Sequence, residues 1–427
     1  MSSTTATETT EQVAEAQARP GGWLNRNVVG MGATSLLADF SYETATTVLP
    51  MLLQALGAPA YALGLTEGLA DALASFTKMA SGWLSDQLPR RKPIVVAGYS
   101  VTAIATALMG LATVWPLILV LRGVAWVGKG LRKPARNALL SESVASGDRG
   151  KAFGLHRAGD ECGAILGPLT AAWLIGYAGD AALPDLSVFR SIMLWTLLPG
   201  LGAVAVMMLA VQETPRSAHA PRRFVASLRE LPASFRRFLL AVGVFGAGDF
   251  SRALLILAAM DLLTPAYGPL AAAQWSAVLF AIRNTAAATA SFPVGWLSDQ
   301  IGRKQLLVGG YFLGAASTMG LAMLFAAGQA SFAALVVLFL AAGLVTAIQE
   351  TLEGATTADF VADFNLRGAA YGLLGTVNGL GDFASSAIVG LLWTAAPEAG
   401  FGYAATMMFL GAVVLMRSDE AHREPTV

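Results

Sequence analysis

The chain has 427 residues, of which 55% are hydrophobic and only 13% are charged, and its formal net charge is zero. Soluble domains carry about 25% charged residues, so this composition excludes an ordinary soluble protein and predicts one embedded in lipid. The neutral balance gives no bulk attraction to nucleic acid. A single cysteine and three widely spaced histidines exclude an internal disulfide and give no cluster of metal ligands.

The chain begins with a polar segment and continues with long apolar runs. Residues 1–25 contain no long apolar stretch, so we expect a disordered cytoplasmic tail and no signal peptide. Twelve later segments approach the length of about 20 mostly apolar residues that a membrane-spanning helix needs. They are centred near residues 40, 72, 103, 125, 164, 200, 250, 285, 316, 344, 380 and 408. The sequence therefore predicts an all-α polytopic membrane protein with 12 transmembrane helices.

The connections between these spans alternate in charge. Lys and Arg are concentrated in every second connection and in the regions next to the two tails. The other connections contain neither residue, and they lie at 55–61, 114–116, 179–189, 262–272, 328–332 and 396–400. Because basic loops stay on the cytoplasmic side, we expect both termini in the cytoplasm and the chain in a cell membrane, specifically a bacterial inner membrane.

Three short segments occur twice in the same order, about half a chain apart. The pairs are 39–41 with 249–251, 82–87 with 295–300, and 149–155 with 367–373. The middle pair is an identity of six residues, Gly-Trp-Leu-Ser-Asp-Gln. Such an ordered repeat predicts a six-plus-six duplication.

The duplication divides the chain into two halves. We predict six-helix bundles over residues 26–211 and 238–418. Residues 212–237 hold six arginines, two glutamates and scattered prolines, which indicates a cytoplasmic linker; a regulatory site there is the alternative. Residues 419–427 complete the chain as a second cytoplasmic tail.

The repeated hexapeptide carries a resemblance to a known family. Gly82, Asp86, Arg90 and Arg91 match the loop motif Gly-x-x-x-Asp-Arg-x-Gly-Arg-Arg of the major facilitator superfamily, and the resemblance covers residues 25–418. It implies two pseudo-symmetric bundles that rock about a central site, and a cytoplasmic latch between helices. The latch residues so implied are Gly82, Asp86, Arg90, Arg91, Gly295, Asp299, Arg303 and Lys304.

The match to that loop motif is incomplete. Gln87 and Gln300 occupy the position of the first motif arginine, and Pro89 replaces its second glycine. A carboxylate near a helix end can accept charge-assisted hydrogen bonds from arginine, which is the physical basis of a latch. The alternative is that the basic residues only hold the loop in the cytoplasm.

The fifth span contains a stripe of small residues. Gly159, Gly163, Gly167 and Pro168 form a Gly-x-x-x-Gly-x-x-x-Gly-Pro pattern, which allows close helix packing and a bend. It is similar to the helix-5 motif of the same superfamily, which is associated with exporting antiporters. Alanines follow where that motif has its final glycines, so tight packing without directional meaning remains open.

Charged residues inside the spans are the candidate functional groups, because a charge at mid-bilayer costs at least about 2.5–3.5 kcal/mol. Asp39 and Glu43 lie four apart on the first span, and Glu67 and Asp71 lie four apart on the second. These four carboxylates are the proton-coupling candidates. The substrate-cavity candidates are Tyr42, Arg122, Trp126, Lys129, Asp160, Glu161, Asp249, Arg252, Arg283, Glu350, Glu353, Asn378 and Asp382.

Nearly all these charges fall on spans that the resembled fold places around its cavity. Structural ion pairs, such as Asp39 with Arg122 or Asp249 with Arg252, remain an alternative for each of them. The broken symmetry between the halves is the strongest indication of coupling, because the second span carries two carboxylates and the eighth carries Arg283.

Together these features predict a secondary transporter that works by alternating access. The first hypothesis is a proton-coupled exporter of a small polar or zwitterionic organic molecule, acting as a monomer, with the proton gradient as its energy source and no cofactor. The second is efflux of a divalent metal ion or chelate, which oxygen ligands would suit. A remote third is a sensor that transports nothing. Enzyme activity is not expected, because the sequence shows no catalytic triad or phosphate-binding loop.

Overall fold

The computed structural model describes residues 22–87, 89–144, 148–177, 186–213, 231–328, 331–361 and 364–418. Within these residues every regular element is helical. The α-helices are α1 (Arg26–Ala55), α2 (Ala60–Gln87), α3 (Lys92–Leu108), α4 (Trp115–Glu142), α5 (Arg149–Tyr177), α6 (Leu186–Trp195), α7 (Leu197–Ala210), α8 (Ala233–Gly246), α9 (Arg252–Ile301), α10 (Arg303–Ala327), α11 (Phe332–Phe360), α12 (Phe364–Trp393) and α13 (Pro397–Arg417). The predicted tails and most of the predicted linker lie outside the described residues.

These helices form twelve spans, as predicted. Helices α6 and α7 are one span interrupted at Thr196, and α8 with the first part of α9 forms the seventh span. The seventh and eighth spans meet within α9 at Gly268, whose φ of +76° lies in the left-handed region that glycine adopts without steric cost. The all-α prediction and the twelve-span prediction are confirmed over the residues that the structure describes.

The four spans that the resembled fold turns outward are all long and apolar enough to cross a membrane, as are α9 and α11. Length and hydropathy alone mark six segments of the described chain as able to cross a membrane. They include α3, the α6–α7 pair, α10 and α13, which are the third, sixth, ninth and twelfth spans. These spans expose large apolar side chains such as Ile104, Leu209, Met323 and Phe409, as expected for surfaces that contact lipid. Helices α1, α2, α4, α5 and α12 carry more polar residues, so hydropathy alone does not mark them as membrane spans.

Close packing within the first half depends on the small residues of α5. A Cβ atom on Gly159 would lie 2.5 Å from the carbonyl oxygen of Gly32, and one on Gly163 would lie 2.6 Å from that of Leu36. The glycine stripe therefore seats α5 against α1, and a larger side chain would force these helices apart.

One apolar core joins the two halves on the side opposite the termini. It includes Leu49, Leu52 and Leu63 of the first half with Leu257 and Trp393 of the second. Helix α2 packs against α12, and α5 packs against α9. Gln274 of α9 donates to the carbonyl oxygen of Ala172 at 3.2 Å. The halves are thus in direct contact on this side.

On the terminal side, where α1 begins and α13 ends, each half has its own core. Val28, Tyr99 and Met207 belong to the core of the first half, whereas Phe245 and Tyr311 stack in the core of the second at a centroid distance of 3.7 Å. Among the described residues neither core includes a residue of the other half. The space between the halves therefore opens toward the terminal side.

Candidate functional site

A salt bridge joins the halves at the inner end of this space. Glu43 lies on α1, and Arg252 is the first residue of α9, where Ser251 caps the helix. An Arg252 Nη1 atom lies 3.0 Å from Glu43 Oε1. The Glu43 side chain is only 2% exposed, whereas that of Arg252 is 39% exposed. The other oxygen of Glu43 is buried without a hydrogen-bond partner among the described residues, so half of this carboxylate is unsatisfied.

A second carboxylate, Glu67 of α2, is shared by both halves. Arg122 of α4 contacts it in a two-pronged arrangement, Nε to Oε1 at 2.6 Å and Nη2 to Oε2 at 3.1 Å. The same Nη2 donates to the Thr46 hydroxyl at 3.0 Å. Ser251 of the second half donates its hydroxyl to Glu67 Oε2 at 3.0 Å. Because the Arg122 and Glu67 side chains are 0% and 4% exposed, these bonds hold a fully buried pair.

This pairing differs from the structural pairs suggested by sequence. Arg122 contacts Glu67 and not Asp39, and Arg252 contacts Glu43 and not Asp249. Both pairs that form connect different helices, and one connects different halves. The sequence does not specify how the helices are rotated and packed against one another, and therefore could not identify these partners.

Aromatic and cationic side chains of α1 and α4 form a box beside the buried pair. The ammonium nitrogen of Lys129 lies 4.2 Å from the Tyr42 ring centroid and 4.7 Å from that of Trp126. The Arg122 guanidinium lies 3.5 Å from the Trp126 ring. Trp126 Nε1 donates to Asp71 Oδ1 at 2.8 Å. The structure thus brings together five sequence-predicted residues in one cluster of cation–π and hydrogen-bonding contacts.

The second half contributes a polar layer at the same level. Gln349 donates to Asp249 Oδ2 at 2.8 Å. Arg283 donates to the Thr346 hydroxyl at 2.7 Å and to the amide oxygen of Asn284 at 3.0 Å. Both of these partners of Arg283 are neutral, so its charge is left without a carboxylate in contact among the described residues.

Glu353 and Asn378 lie deeper within the second half. The Tyr311 hydroxyl donates to Glu353 Oε1 at 2.7 Å, and Asn378 Nδ2 donates to Oε2 at 2.7 Å. Glu353 is only 3% exposed, so this network ties α10, α11 and α12 together. Asp382 is half-buried on α12, close enough to Asp249 and Asp71 for their charges to interact.

A charged group at the mouth of the cavity was not among the sequence predictions. Arg157 of α5 lies 2.5 Å from Glu161 and 2.8 Å from Glu350 of the other half. The Arg157 and Glu350 side chains are 54% and 51% exposed, so this bridge between the halves is accessible to solvent. The sequence reasoning searched for charges in the middle of the spans, and Arg157 lies near the start of α5.

His156 was also missed, and it connects α5 to α1. Its Nε2 lies 3.1 Å from the Ser35 hydroxyl, which also hydrogen-bonds Asp160. Asp39 lies one turn further along α1 and is buried. The spacing His156-x-x-x-Asp160 places His156 on the same helix face as the predicted Asp160, and this pattern could have identified it.

The predicted latch residues form similar contacts in the two halves, but at different positions of the repeat, because Arg303 aligns with Arg90 and Lys304 with Arg91. Arg91 contacts Glu142 at the end of α4, and Arg303 lies 2.7 Å from Asp359 near the end of α11. Arg90 is exposed, and Lys304 donates to the carbonyl oxygen of Ser418 at 2.5 Å. The side chains of Gly82, Asp86 and Asp299 lie outside the described residues.

A metal site finds no support in this region. Within the described parts of the chain, no group of three or more His, Cys, Asp or Glu residues could hold a metal ion. The sequence hypothesis of a divalent metal substrate therefore gains no ligand cluster from the structure.

Two six-helix halves around a charged cavity, closed at one end and open at the other, define a membrane transport protein. The model of the Major Facilitator Superfamily matches residues 31–260 and 240–427, and the chain belongs to that family. It is therefore a multi-pass membrane transporter and not an enzyme.

The relatives match this chain over different lengths. An uncharacterised MFS-type transporter of Methanocaldococcus jannaschii is 31% identical over 92% of this chain and 95% of its own length. The multidrug resistance protein MdtH of Photorhabdus laumondii is 27% identical over 59% and 58%. A solved bacterial homologue of the human lysosomal transporter Spinster is 16% identical, covers 93% of this chain and 98% of its own, and has a TM-score of 0.70; this likeness shows the fold.

Proposed function

We propose that the chain is a proton-coupled transporter that exports a small polar or zwitterionic organic molecule by alternating access. The observation that carries this proposal is the Glu43–Arg252 salt bridge, because it joins the two halves at the inner end of the open cavity. A pair in this position must separate or change partners when the halves rock. Any event that removes one of its charges therefore alters the balance between the two conformations.

Protonation of Glu43 is such an event. The neutral acid no longer attracts the Arg252 guanidinium, and the attraction between opposite charges at 3.0 Å is lost. The second Glu43 oxygen, which lacks a partner among the described residues, is an available position for the proton. In this scheme a proton taken up at Glu43 releases Arg252 and weakens the contact between the halves, which is the step that couples the proton gradient to movement.

The groups along the cavity support a polar substrate. Lys129 and Arg157 present positive charge, Glu350 presents negative charge, and Tyr42 and Trp126 add aromatic faces. A polar or zwitterionic molecule can form hydrogen bonds with these groups, whereas a purely apolar molecule would displace water from them without replacing its hydrogen bonds.

Export is supported by two features. The glycine stripe of α5, which resembles the motif of exporting antiporters, packs directly against α1, the helix that carries Glu43. The similarity to a protein named for multidrug resistance points in the same direction. With the basic loops in the cytoplasm, the open side of the cavity faces the cytoplasm and receives its substrate there. We further propose the inner membrane of a bacterium as its location and a monomer as its working form.

The test is transport by the purified protein in liposomes that contain a trapped pH indicator. Candidate substrates are added with and without a pH gradient, and Glu43→Gln is compared with Glu398→Gln, an exposed glutamate at the start of α13. We expect Glu43→Gln to abolish substrate-dependent proton movement and Glu398→Gln to retain it. Full gradient-driven transport by Glu43→Gln would refute the proton role of this residue.

A further inference from the structure

The second half contains a pocket that extends away from the central cavity. It has a volume of about 70 Å³ and lies between α9, α10, α11 and α13. Polar residues line the mouth, and they are Asp249, Arg252, Arg283, Thr346 and Gln349. Apolar residues dominate the interior, and they include Leu255, Leu321, Leu338, Ala342 and Met408. The pocket is therefore amphipathic, with its charged end at the transport cavity.

The direction of the pocket follows from the register of α11. Leu338, Ala342, Val345 and Gln349 line it from one face of this helix. From Gln349 to Leu338 the helix advances eleven residues, which corresponds to about 16 Å at 1.5 Å per residue. Side chains change from polar to apolar along this distance, so a linear molecule could lie along it with its polar end toward the cavity.

The pocket is lined by small residues on two walls. Gly314 and Ser317 of α10 face Ala342 of α11 across it. A Cβ atom on Gly314 would make only ordinary contact, at 3.4 Å from Met408 Sδ, so sterics do not require glycine here. Helix bundles pack densely, and small residues on facing walls leave a space that a ligand can fill.

The mouth is lined by two guanidinium groups, those of Arg252 and Arg283, and by one carboxylate, that of Asp249. Asp249 already accepts a hydrogen bond from Gln349, so the excess positive charge favours an anionic head group. Arg283 donates only to the neutral Thr346 hydroxyl and Asn284 amide among its hydrogen-bond partners in the described chain. Arg252 forms a salt bridge with Glu43, but its side chain is 39% exposed. A carboxylate placed between these two guanidinium groups would receive charge-assisted hydrogen bonds.

We propose that this pocket binds the apolar chain of an amphiphilic substrate whose anionic head contacts Arg283 and Arg252. The inference rests on the proposed function and narrows its substrate to polar molecules that carry an apolar chain. Removing one methylene from water contributes about 0.8 kcal/mol, which corresponds to about a fourfold increase in affinity. Affinity should therefore rise with chain length and stop rising when the pocket is full.

The test is equilibrium binding to the full-length protein in lipid nanodiscs, with no pH gradient. The probes are N-acylglycines from acetylglycine to dodecanoylglycine, and alkyltrimethylammonium ions of matched length test the charge of the head. Ala342→Leu and Ser317→Leu narrow the pocket from opposite walls. Ala341→Leu makes the same change on α11 at the adjacent position, which does not line the pocket.

We expect the affinity for N-acylglycines to increase by up to fourfold for each added methylene. In both narrowing variants this increase should stop at a shorter chain than in the unmodified protein. In Ala341→Leu it should continue to the same chain length as in the unmodified protein. Arg283→Gln should weaken binding of every N-acylglycine about 10-fold or more, because a hydrogen bond to a charged group contributes about 1.5–3 kcal/mol. Affinity that does not depend on chain length, or that rises equally in the narrowing variants, would overturn the proposal. Equal binding of the cationic series would overturn the anionic head.

A lipid of the bilayer could supply the same chemistry, and native mass spectrometry separates the two sources. Displacement of retained lipid by dodecanoylglycine supports a substrate site, whereas a lipid that persists at saturating probe overturns it. Because binding is measured without a gradient, failure here leaves the transport test with Glu43→Gln unaffected, and the two proposals can fail separately.

Discussion

The buried pair of Glu67 and Arg122 gives the sharpest prediction about stability. Replacing Glu67 with Met removes two hydrogen bonds to Arg122 and one from Ser251. Arg122 is then left with the Thr46 hydroxyl and the Trp126 ring while its side chain remains 0% exposed. Breaking a buried ion pair by removing one partner costs about 3–5 kcal/mol.

The double substitution Glu67→Met with Arg122→Met should behave differently. It removes both charges and leaves side chains of comparable volume, which is often neutral or stabilising. At about 2–4 °C per kcal/mol for a unit of 150–250 residues, the single substitution should lower the unfolding temperature by about 6–20 °C. The double variant should recover most of this loss.

Thermal unfolding of the purified protein, followed by fluorescence, measures these shifts. Glu398→Met is the matched control, because this glutamate is exposed and its loss should change stability by less than about 0.5 kcal/mol. The comparison also requires Arg122→Met alone. If the losses of stability in Glu67→Met and Arg122→Met simply add in the double variant, the two side chains do not interact energetically and the reasoning is refuted.

Two further predictions concern packing and access. Gly163→Val should strongly reduce the yield of folded protein, because the added atoms meet the backbone of Leu36 and Phe40. Gly154→Val on the same helix is the control and should retain the yield, because a Cβ atom there meets nothing within 4 Å. Equal yields would contradict the close α1–α5 contact. The second prediction uses a Cys162→Ser background and a membrane-impermeant maleimide, with labelling compared in inverted and right-side-out vesicles. Glu350→Cys should react from the cytoplasmic side, and Glu398→Cys should react only from the other side. The reverse pattern would refute the proposed orientation.

The fold was predictable because its determinants are visible in the linear sequence. Apolar length, the alternation of basic loops and the ordered repeat depend only on the order of residues along the chain, and a lipid environment permits few architectures. The break at Gly268 falls within the connection predicted at 262–272. The break at Thr196 was not predicted, because it lies inside an apolar run, where hydropathy does not distinguish a continuous helix from an interrupted one.

The membership of the site was partly predictable, but its connections were not. Tyr42, Trp126, Lys129 and Asp71 were selected by type and position, and the structure places them in one cluster. Which acid meets which base depends on helix rotation and on the approach of the halves, neither of which a single sequence specifies. Arg157 was missed for a related reason, because an exposed charge near a helix end matters only when an opposite charge of the other half faces it.

The contacts between the halves use positions at which the repeat has diverged. Counting from Asp39 and Asp249, the position of Glu43 corresponds to Ala253, and that of Arg252 corresponds to Tyr42. Counting back from the shared hexapeptide, Glu67 corresponds to Phe280. In the Glu43–Arg252 and Glu67–Ser251 contacts the acid comes from the first half and its partner from the second, whereas the Arg157–Glu350 pair has the opposite arrangement.

The two halves contribute different parts of the proposed transport mechanism. In each half one arginine of the predicted latch pairs with an acid at or near the end of a neighbouring helix, Arg91 with Glu142 and Arg303 with Asp359. The carboxylates proposed to take up protons lie in the first half, and the amphipathic pocket lies in the second. Arg252 belongs to both sites, because it pairs with Glu43 and lines the pocket mouth. An anionic head at Arg252 and a proton at Glu43 would each release the same salt bridge, and this shared residue offers a direct physical route by which substrate and proton could be coupled.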